Sequence, residues 1–582
     1  MKRDISLMAE NKYDLIVIGG GITGASVAWD ASLRGLKAAL FEKDDFANAT
    51  SAATSKLIHG GLRYLKNFEL GLVRESLSER RIMSIITPQF VFPIPFIVPL
   101  YGHGMEGRLP MQAALSVYDL LAYDKEETED PDKRIPNHKI LGEGKVKRLF
   151  PGLDTKNLNG GALYYDCQMH TPERHVLEFM LSANDYGADV VNYAEVVDLL
   201  RKGNTVNGVK IKDKEDGSEY KISGKVVANV TGPWGDITLG MLHKKGVEKK
   251  LIRSKGIHLI TKEIFKDYGL VLRTKAGRHF FIIPWRGYSL IGTTDRAYDN
   301  EPDHFKVSEA DIAGLIEDTN DNLPGAKLSR KDVLYFYGGL RPIVEKDTDI
   351  DVYDASRKYE IYDHEKDDRI KGMITVIGGK YTTSRNLARQ VVDMTYKKLG
   401  EKPPECLTDT TPLYGSATGP FKRYLNKEVK KHKREYPKDV VENLIYQYGT
   451  EHGRIMVKTE ADPGLKDKIA PNRPDILAEV VYAVTDEMAL HLDDVIFRRT
   501  GLGTVGNPGE EALKKCADIM GGLLGWDDAV KKREIGWVVE YYVPIKKDGD
   551  IPKAKDVISE KRKRPSKKIE GLDGGISSQA AK

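Results

Sequence analysis

The chain has 582 residues, enough to bury a large core and to need more than one domain. Its formal net charge of +4 gives no bulk electrostatic case for a nucleic-acid partner. The three cysteines, Cys167, Cys406 and Cys516, stand far apart with no C-x-x-C pair, which argues against a disulfide framework, a cysteine zinc site or a cysteine-ligated iron–sulfur cluster; no metal is expected.

The first informative stretch, residues 13–42, is YDLIVIGGGITGASVAWDASLRGLKAALFE. A β-rich run at 15–18 meets Gly19, Gly21 and Gly24 in G-x-G-x-x-G spacing. A helix-like segment at 25–34 follows, and a second apolar run at 38–41 ends in Glu42. Each part has a job in holding a dinucleotide. Gly19 permits the tight turn, Gly21 lets backbone N–H groups approach the pyrophosphate, and Gly24 lets helix and strand pack closely. Glu42, about 20 residues on, accepts hydrogen bonds from ribose hydroxyls. This unit alone does not choose between FAD and NAD(P).

Small and hydroxylic residues dominate 47–55, including Thr50, Ser51 and Ser55. Such residues line a pyrophosphate and flavin channel without filling it. Lys56, His59, Arg63 and Tyr64 then cluster around Gly60 and Gly61, which allow close backbone approach. Residues 72–86 carry apolar positions at helical spacing. A proline-rich extended run at 87–100 leaves the nucleotide-binding part. It contains the best apolar stretch for a membrane span, 90–100, which Pro93, Pro95 and Pro99 break. Alternation at 190–199 and 205–211, around Gly203 and Asn204, predicts a hairpin. A short buried strand at 226–230 ends at Thr231 and Gly232, whose tip touches the cofactor. Strands at 251–261 and 280–293 belong to a separate sheet. A strand at 373–377 delivers Gly378 and Gly379 to a helix starting near Thr382. From about Pro404 the pattern turns helical, at 440–448, 476–484 and 512–520. The segment 546–582 is polar and carries a basic run at 561–568, which fits a solvated, disordered tail or attraction to anionic lipid. No apolar run follows Lys2, Arg3 and Asp4, so no secretory signal is expected.

The segment TSAATSKLIHGGLRYL at 50–65 closely resembles the FAD-dependent, respiratory-type glycerol-3-phosphate dehydrogenases, within the D-amino-acid-oxidase-like flavoproteins. So do NVTGPW at 229–234, PWRGYSLIGTTD at 284–295, YGGLRP at 337–342 and GGKYTTSR at 378–385. All five blocks occur in that family's order. The resemblance implies an α/β fold: a Rossmann-like FAD-binding domain with an interleaved mixed-sheet substrate domain and a C-terminal helical domain. The divisions expected are 1–400, with substrate parts at about 87–160 and 245–344, then 401–545, then the tail.

The implied reaction is oxidation of sn-glycerol 3-phosphate to dihydroxyacetone phosphate. It needs a flavin accepting hydride at N5, a base for the hydroxyl proton, cations for the phosphate dianion, and a positive group near the flavin N1. By resemblance Arg341 binds phosphate, a role that suits a guanidinium, and Arg63 and Tyr64 lie in the same pocket. Lys380 contacts substrate or stabilises charge at the reaction centre. Helix N–H groups beyond Gly379 and Thr382 face the flavin. The base is His258, in SKGIHL, or His59. FAD contacts are expected from Gly19, Gly21, Gly24, Glu42, Thr50, Ser51, Ser55, Lys56, Thr231, Gly232, Gly379 and Thr382. Electrons pass to a quinone, or to oxygen in an oxidase; a flavin amine or amino-acid oxidase and a non-catalytic flavin-fold subunit are the competing readings. The remaining expectations are a cytoplasmic protein, peripheral at the inner face of the membrane, and a homodimer.

Overall fold

The computed structural model describes residues 1–102, 104, 107–242, 251–344 and 358–546. Two sheets carry the architecture. In the first, the strand Lys12–Ile18 lies parallel between Ala38–Phe41 and Glu219–Asn229, with Val17 opposite both Leu40 and Ala228. Met373–Gly378 and Asp189–Val191 extend it in parallel on the two sides. The inner strands are apolar where they are buried on both faces, at residues 15–18 and 38–41. The helix Ile22–Leu33 covers one face and packs against the helices Pro172–Asp185 and Ser384–Leu399.

The second sheet has ten strands. Toward one end Leu251–Lys262 runs antiparallel to Val333–Val344, pairing Ser254 with Arg341, Gly256 with Gly339 and His258 with Tyr337. The run expected as one strand at 280–293 is two, His279–Trp285 and Tyr288–Gly292. Arg286 and Gly287, at φ of 52° and 79°, make the hairpin turn between them. The proline-rich run is also more than a connector. Val91–Tyr101 is a strand of this sheet, antiparallel to Leu158–Met169. The expected strand at 190–199 divides as well, because Tyr193 adopts φ 54° between Asp189–Val191 and Ala194–Lys202.

The C-terminal region is helical. It comprises Phe421–His432, Lys438–Tyr448, His452–Ala461, Leu477–Thr485, Glu510–Leu524 and Asp528–Glu540, with a π-helical turn at Asp494–Arg499. That turn anchors it to the first sheet. Arg498 Nε and Arg499 Nη1 both reach Asp45 Oδ2, at 2.6 and 2.7 Å, and Arg498 Nη1 donates to Asn48 Oδ1 at 3.0 Å. Burial would raise the Asp45 carboxyl, but Arg499 and Arg498 outweigh it and hold it below the usual carboxylate range. A helical element thus braces the loop that follows Glu42. Among the described residues no helix is long and apolar enough to cross a membrane. The basic run at 561–568 lies outside the described residues.

Candidate active site

A cleft of about 1160 Å³ runs between the two sheets. One end is the dinucleotide unit. Gly19 holds φ 109°, a conformation glycine adopts without strain. A Cβ on Gly24 would stand 1.9 Å from the Gly19 carbonyl oxygen, so this glycine is what lets helix and turn meet. Gly21 is the N-cap of Ile22–Leu33, and the Ile22 N–H donates to Ser51 Oγ at 2.9 Å. Glu42 accepts from the Gly20 and Asp44 N–H groups at 2.6 and 2.8 Å, and burial pushes its carboxyl up to about 7. Thr231 and Gly232 line the same end from the tip of the third parallel strand.

Residues 50–55 bridge the sheets. The Thr50 hydroxyl donates to the Leu340 carbonyl at 2.6 Å, and the Tyr337 hydroxyl donates to the Thr54 carbonyl at 2.8 Å. The approach is close because Gly339 has no side chain: a Cβ there would stand 2.7 Å from the Ala53 Cβ.

Beyond this bridge the cleft gathers cations. Arg341 Nη2 donates to Thr293 Oγ1 at 2.6 Å and to the Thr294 carbonyl at 3.3 Å, with Asp295 Oδ1 3.7 Å from Nη1. The guanidinium is therefore oriented from behind, with 26% of its side-chain surface accessible. The Tyr64 ring lies between two cations, Arg63 at 5.0 Å and Lys380 Nζ at 4.8 Å from its centroid. Lys380 Nζ also donates to Ser76 Oγ, and burial lowers its ammonium to about 8. Gly379, Lys380 and Thr382 enter the helix Ser384–Leu399 through a 3₁₀ turn, so its N-terminal end opens on the cleft.

Two histidines face this region. His258 Nε2 shares a hydrogen bond with Ser55 Oγ at 2.9 Å, and its ring stacks on Tyr337 with centroids 5.0 Å apart. Burial, then Arg341 and Lys56, holds it well below the ordinary histidine range, so it is neutral at neutral pH. Burial lowers His59 to about 4. Its loop is fixed underneath by Asp166, which accepts from the Gly60 N–H at 3.0 Å, the Tyr118 hydroxyl at 2.9 Å and Arg80 at 2.6 Å.

The cleft thus brings together Gly19, Gly21, Glu42, Thr50, Ser51, Ser55, His59, Arg63, Tyr64, Thr231, Gly232, His258, Arg341, Gly379, Lys380 and Thr382. Gly24 supports it from behind. The Lys56 side chain points elsewhere: it is buried in an ion pair with Glu173, with Nζ 5.1 and 5.0 Å from the Trp285 and Tyr337 ring centroids. Sequence reasoning passed over Thr293, Asp166, Arg273 and His279, all on the cleft wall. Asp166 had a legible signal, an acid within the mostly apolar run ALYYDC; Arg273 and His279 had none, because they meet only through strand pairing.

These features fit a flavin dinucleotide. Two helix N-termini open on one cleft, and a Cβ at Gly21 would stand 3.1 Å from Ser51 Oγ, in the passage a pyrophosphate needs. The fold and site define a flavoprotein oxidoreductase, and residues 14–384 match the family described as FAD dependent oxidoreductase. Residues 406–531 match the C-terminal domain of alpha-glycerophosphate oxidase. A glycerol-3-phosphate dehydrogenase of Synechocystis sp. is 37% identical over 93% of this chain and 98% of its own length. The aerobic glycerol-3-phosphate dehydrogenase of Bacillus subtilis is 33% identical over 92% and 95%. The structure of glycerol-3-phosphate dehydrogenase from Bacillus halodurans complexed with FAD superposes with a TM-score of 0.74 at 27% identity, covering 92% of this chain and 96% of that one. The chain belongs to the FAD-dependent glycerol-3-phosphate dehydrogenase family.

Proposed function

We propose that this enzyme oxidises sn-glycerol 3-phosphate to dihydroxyacetone phosphate. The observation that carries the reading is the cation set, Arg341, Arg63 and Lys380, lining one cleft together with two neutral histidines. When bound, FAD supplies the acceptor for the hydride leaving the substrate carbinol carbon. Arg341 and Arg63 hold the phosphate dianion; the fork of Arg341 is pre-set by Thr293 and Thr294. His258, kept neutral by burial, takes the hydroxyl proton. Lys380 and the helix start behind it stabilise the negative charge that develops during transfer. Glu42, Gly19, Gly21, Ser51 and Thr231 hold the dinucleotide end.

For the acceptor, we propose a quinone reached at a membrane surface. The helix Arg108–Leu121 lines the cleft with Pro110, Met111, Ala113, Ala114 and Val117, yet exposes Leu109 at 81% and Leu120 at 72%. Phe68, beside it at the cleft mouth, is 85% exposed. Such an apolar rim suits a peripheral lipid contact with a short path for a lipid-soluble acceptor. Oxygen is the rival acceptor, supported by the match of residues 406–531. Acceptor profiling separates them: turnover with a soluble quinone analogue, a dye and oxygen at one substrate concentration. Fast quinone reduction with little peroxide supports the dehydrogenase reading; stoichiometric peroxide and no quinone reduction would replace it with an oxidase.

A further inference from the structure

The helix Phe421–His432 carries Glu428 and His432 one turn apart, and His452 opens the helix His452–Ala461 opposite them. One donor atom of each residue lies within 4.8 Å of the other two. Both histidine Nε2 atoms stand 3.6 Å from Glu428 Oε2. That separation is too long for a hydrogen bond. It is close to the roughly 3.4 Å between neighbouring ligand atoms around a tetrahedral zinc with bonds of about 2.0–2.1 Å.

The two Nε2 atoms are buried and have no hydrogen-bond partner. Buried polar atoms are usually satisfied, so each Nε2 keeps the capacity to bind a ligand. The tautomer of His452 is set for the purpose. Its Nδ1 lies 2.8 Å from the Gly449 carbonyl, so Nδ1–H donates there and Nε2 presents a lone pair toward Glu428. Lys431 Nζ approaches Glu428 Oε2 at 3.3 Å and Lys427 Nζ approaches Oε1 at 3.8 Å. Both lysines are well exposed and can swing into solvent when a stronger cation arrives.

We propose that Glu428, His432 and His452 form a binding site for a divalent transition-metal ion. The two imidazoles and one carboxylate suit zinc, with water completing the coordination. The ion would tie together two helices of the C-terminal region. Among the described residues none beyond Thr382 lines the cleft, so the site is separate from the flavin chemistry.

The test uses the flavin-loaded enzyme, stripped with a chelator and titrated with zinc chloride against a chromophoric zinc indicator. The expected result is one zinc per chain and a rise in the thermal unfolding midpoint with zinc. His432→Ala alters the most exposed of the three ligands and should lose both effects while keeping its flavin and turnover. Glu428→Gln, which keeps the side-chain shape, should behave the same way. Cobalt(II) in the parent should give the absorption of a tetrahedral N/O site, absent in both variants. Equal zinc uptake by parent and variants would overturn the proposal, as would no uptake by the parent.

Discussion

The guanidinium of Arg341 lies across the backbone of Gly256. A Cβ built on Gly256 would stand 2.1 Å from Arg341 Nη2 and 2.5 Å from Cζ. The two residues sit on paired strands, with Gly256 opposite Gly339 and Ser254 opposite Arg341. A glycine in mid-strand costs stability. Here it gives Arg341, the arginine proposed to bind phosphate, a flat floor.

Gly256→Ala should therefore imitate loss of Arg341 without touching its charge. A hydrogen bond to a charged group contributes roughly 1.5–3 kcal/mol. Both Gly256→Ala and Arg341→Ala should then lower kcat/KM for glycerol 3-phosphate by about ten- to a hundred-fold, at about 1.4 kcal/mol per tenfold. Flavin content should stay at the parent level. Free glycerol, without the dianion, should be a very poor substrate for all three proteins. If Gly256→Ala kept the parent kcat/KM, Arg341 would not depend on that floor.

Gly21→Val should be purified without flavin. Its backbone, at φ −79° and ψ −178°, is extended and open to any residue, so the fold should survive. The added carbons fill the passage beside Ser51 instead. Circular dichroism and flavin absorbance, read on one preparation, check this; a folded variant with full flavin content would place the pyrophosphate elsewhere.

The Lys380 ammonium, held down to about 8 by burial, sets an alkaline limit. Below that pH it is charged and, in the proposed role, helps bind and stabilise anionic groups. As pH rises through about 8 the charge is lost, and kcat/KM should fall. Lys380→Arg keeps its charge and should move the limb out of range. Stability moves the other way. Between about 8 and the ordinary value of 10.5, the unfolded chain holds a proton that the folded chain has released, so this group's contribution to stability rises with pH. A parent profile flat from about pH 7 to about pH 10 would remove the ammonium from the rate.

His258→Asn should slow single-turnover reduction of the bound flavin by about 10²- to 10⁴-fold, the range for loss of a general base. His59→Asn should slow it less. The opposite order would assign the proton to His59, whose backbone N–H is held by Thr382.

Much of this is legible in the sequence, for a physical reason. A strand, a glycine turn and a helix are local, so residues 12–41 show their periodicity and spacing directly. Arg341 and Lys380 could be singled out because glycines flank them in recognisable blocks. What stayed hidden is created by distant packing. Gly256 matters only because Arg341 lies over it, 85 positions later. Arg273 and His279 reach the cleft only as a cross-strand pair. The clamp of Asp45 by Arg498 and Arg499 joins residues more than 450 positions apart. Cysteine spacing gave no hint of a metal site, and the Glu428–His432–His452 cluster forms only when two helices meet.

The most direct measurement is an anaerobic titration of the purified holoenzyme with sn-glycerol 3-phosphate, followed by flavin absorbance. The account predicts bleaching of the oxidised flavin bands, formation of dihydroxyacetone phosphate in proportion, and much slower bleaching in Arg341→Ala. Flavin that is bleached by dithionite but left untouched by glycerol 3-phosphate would contradict it.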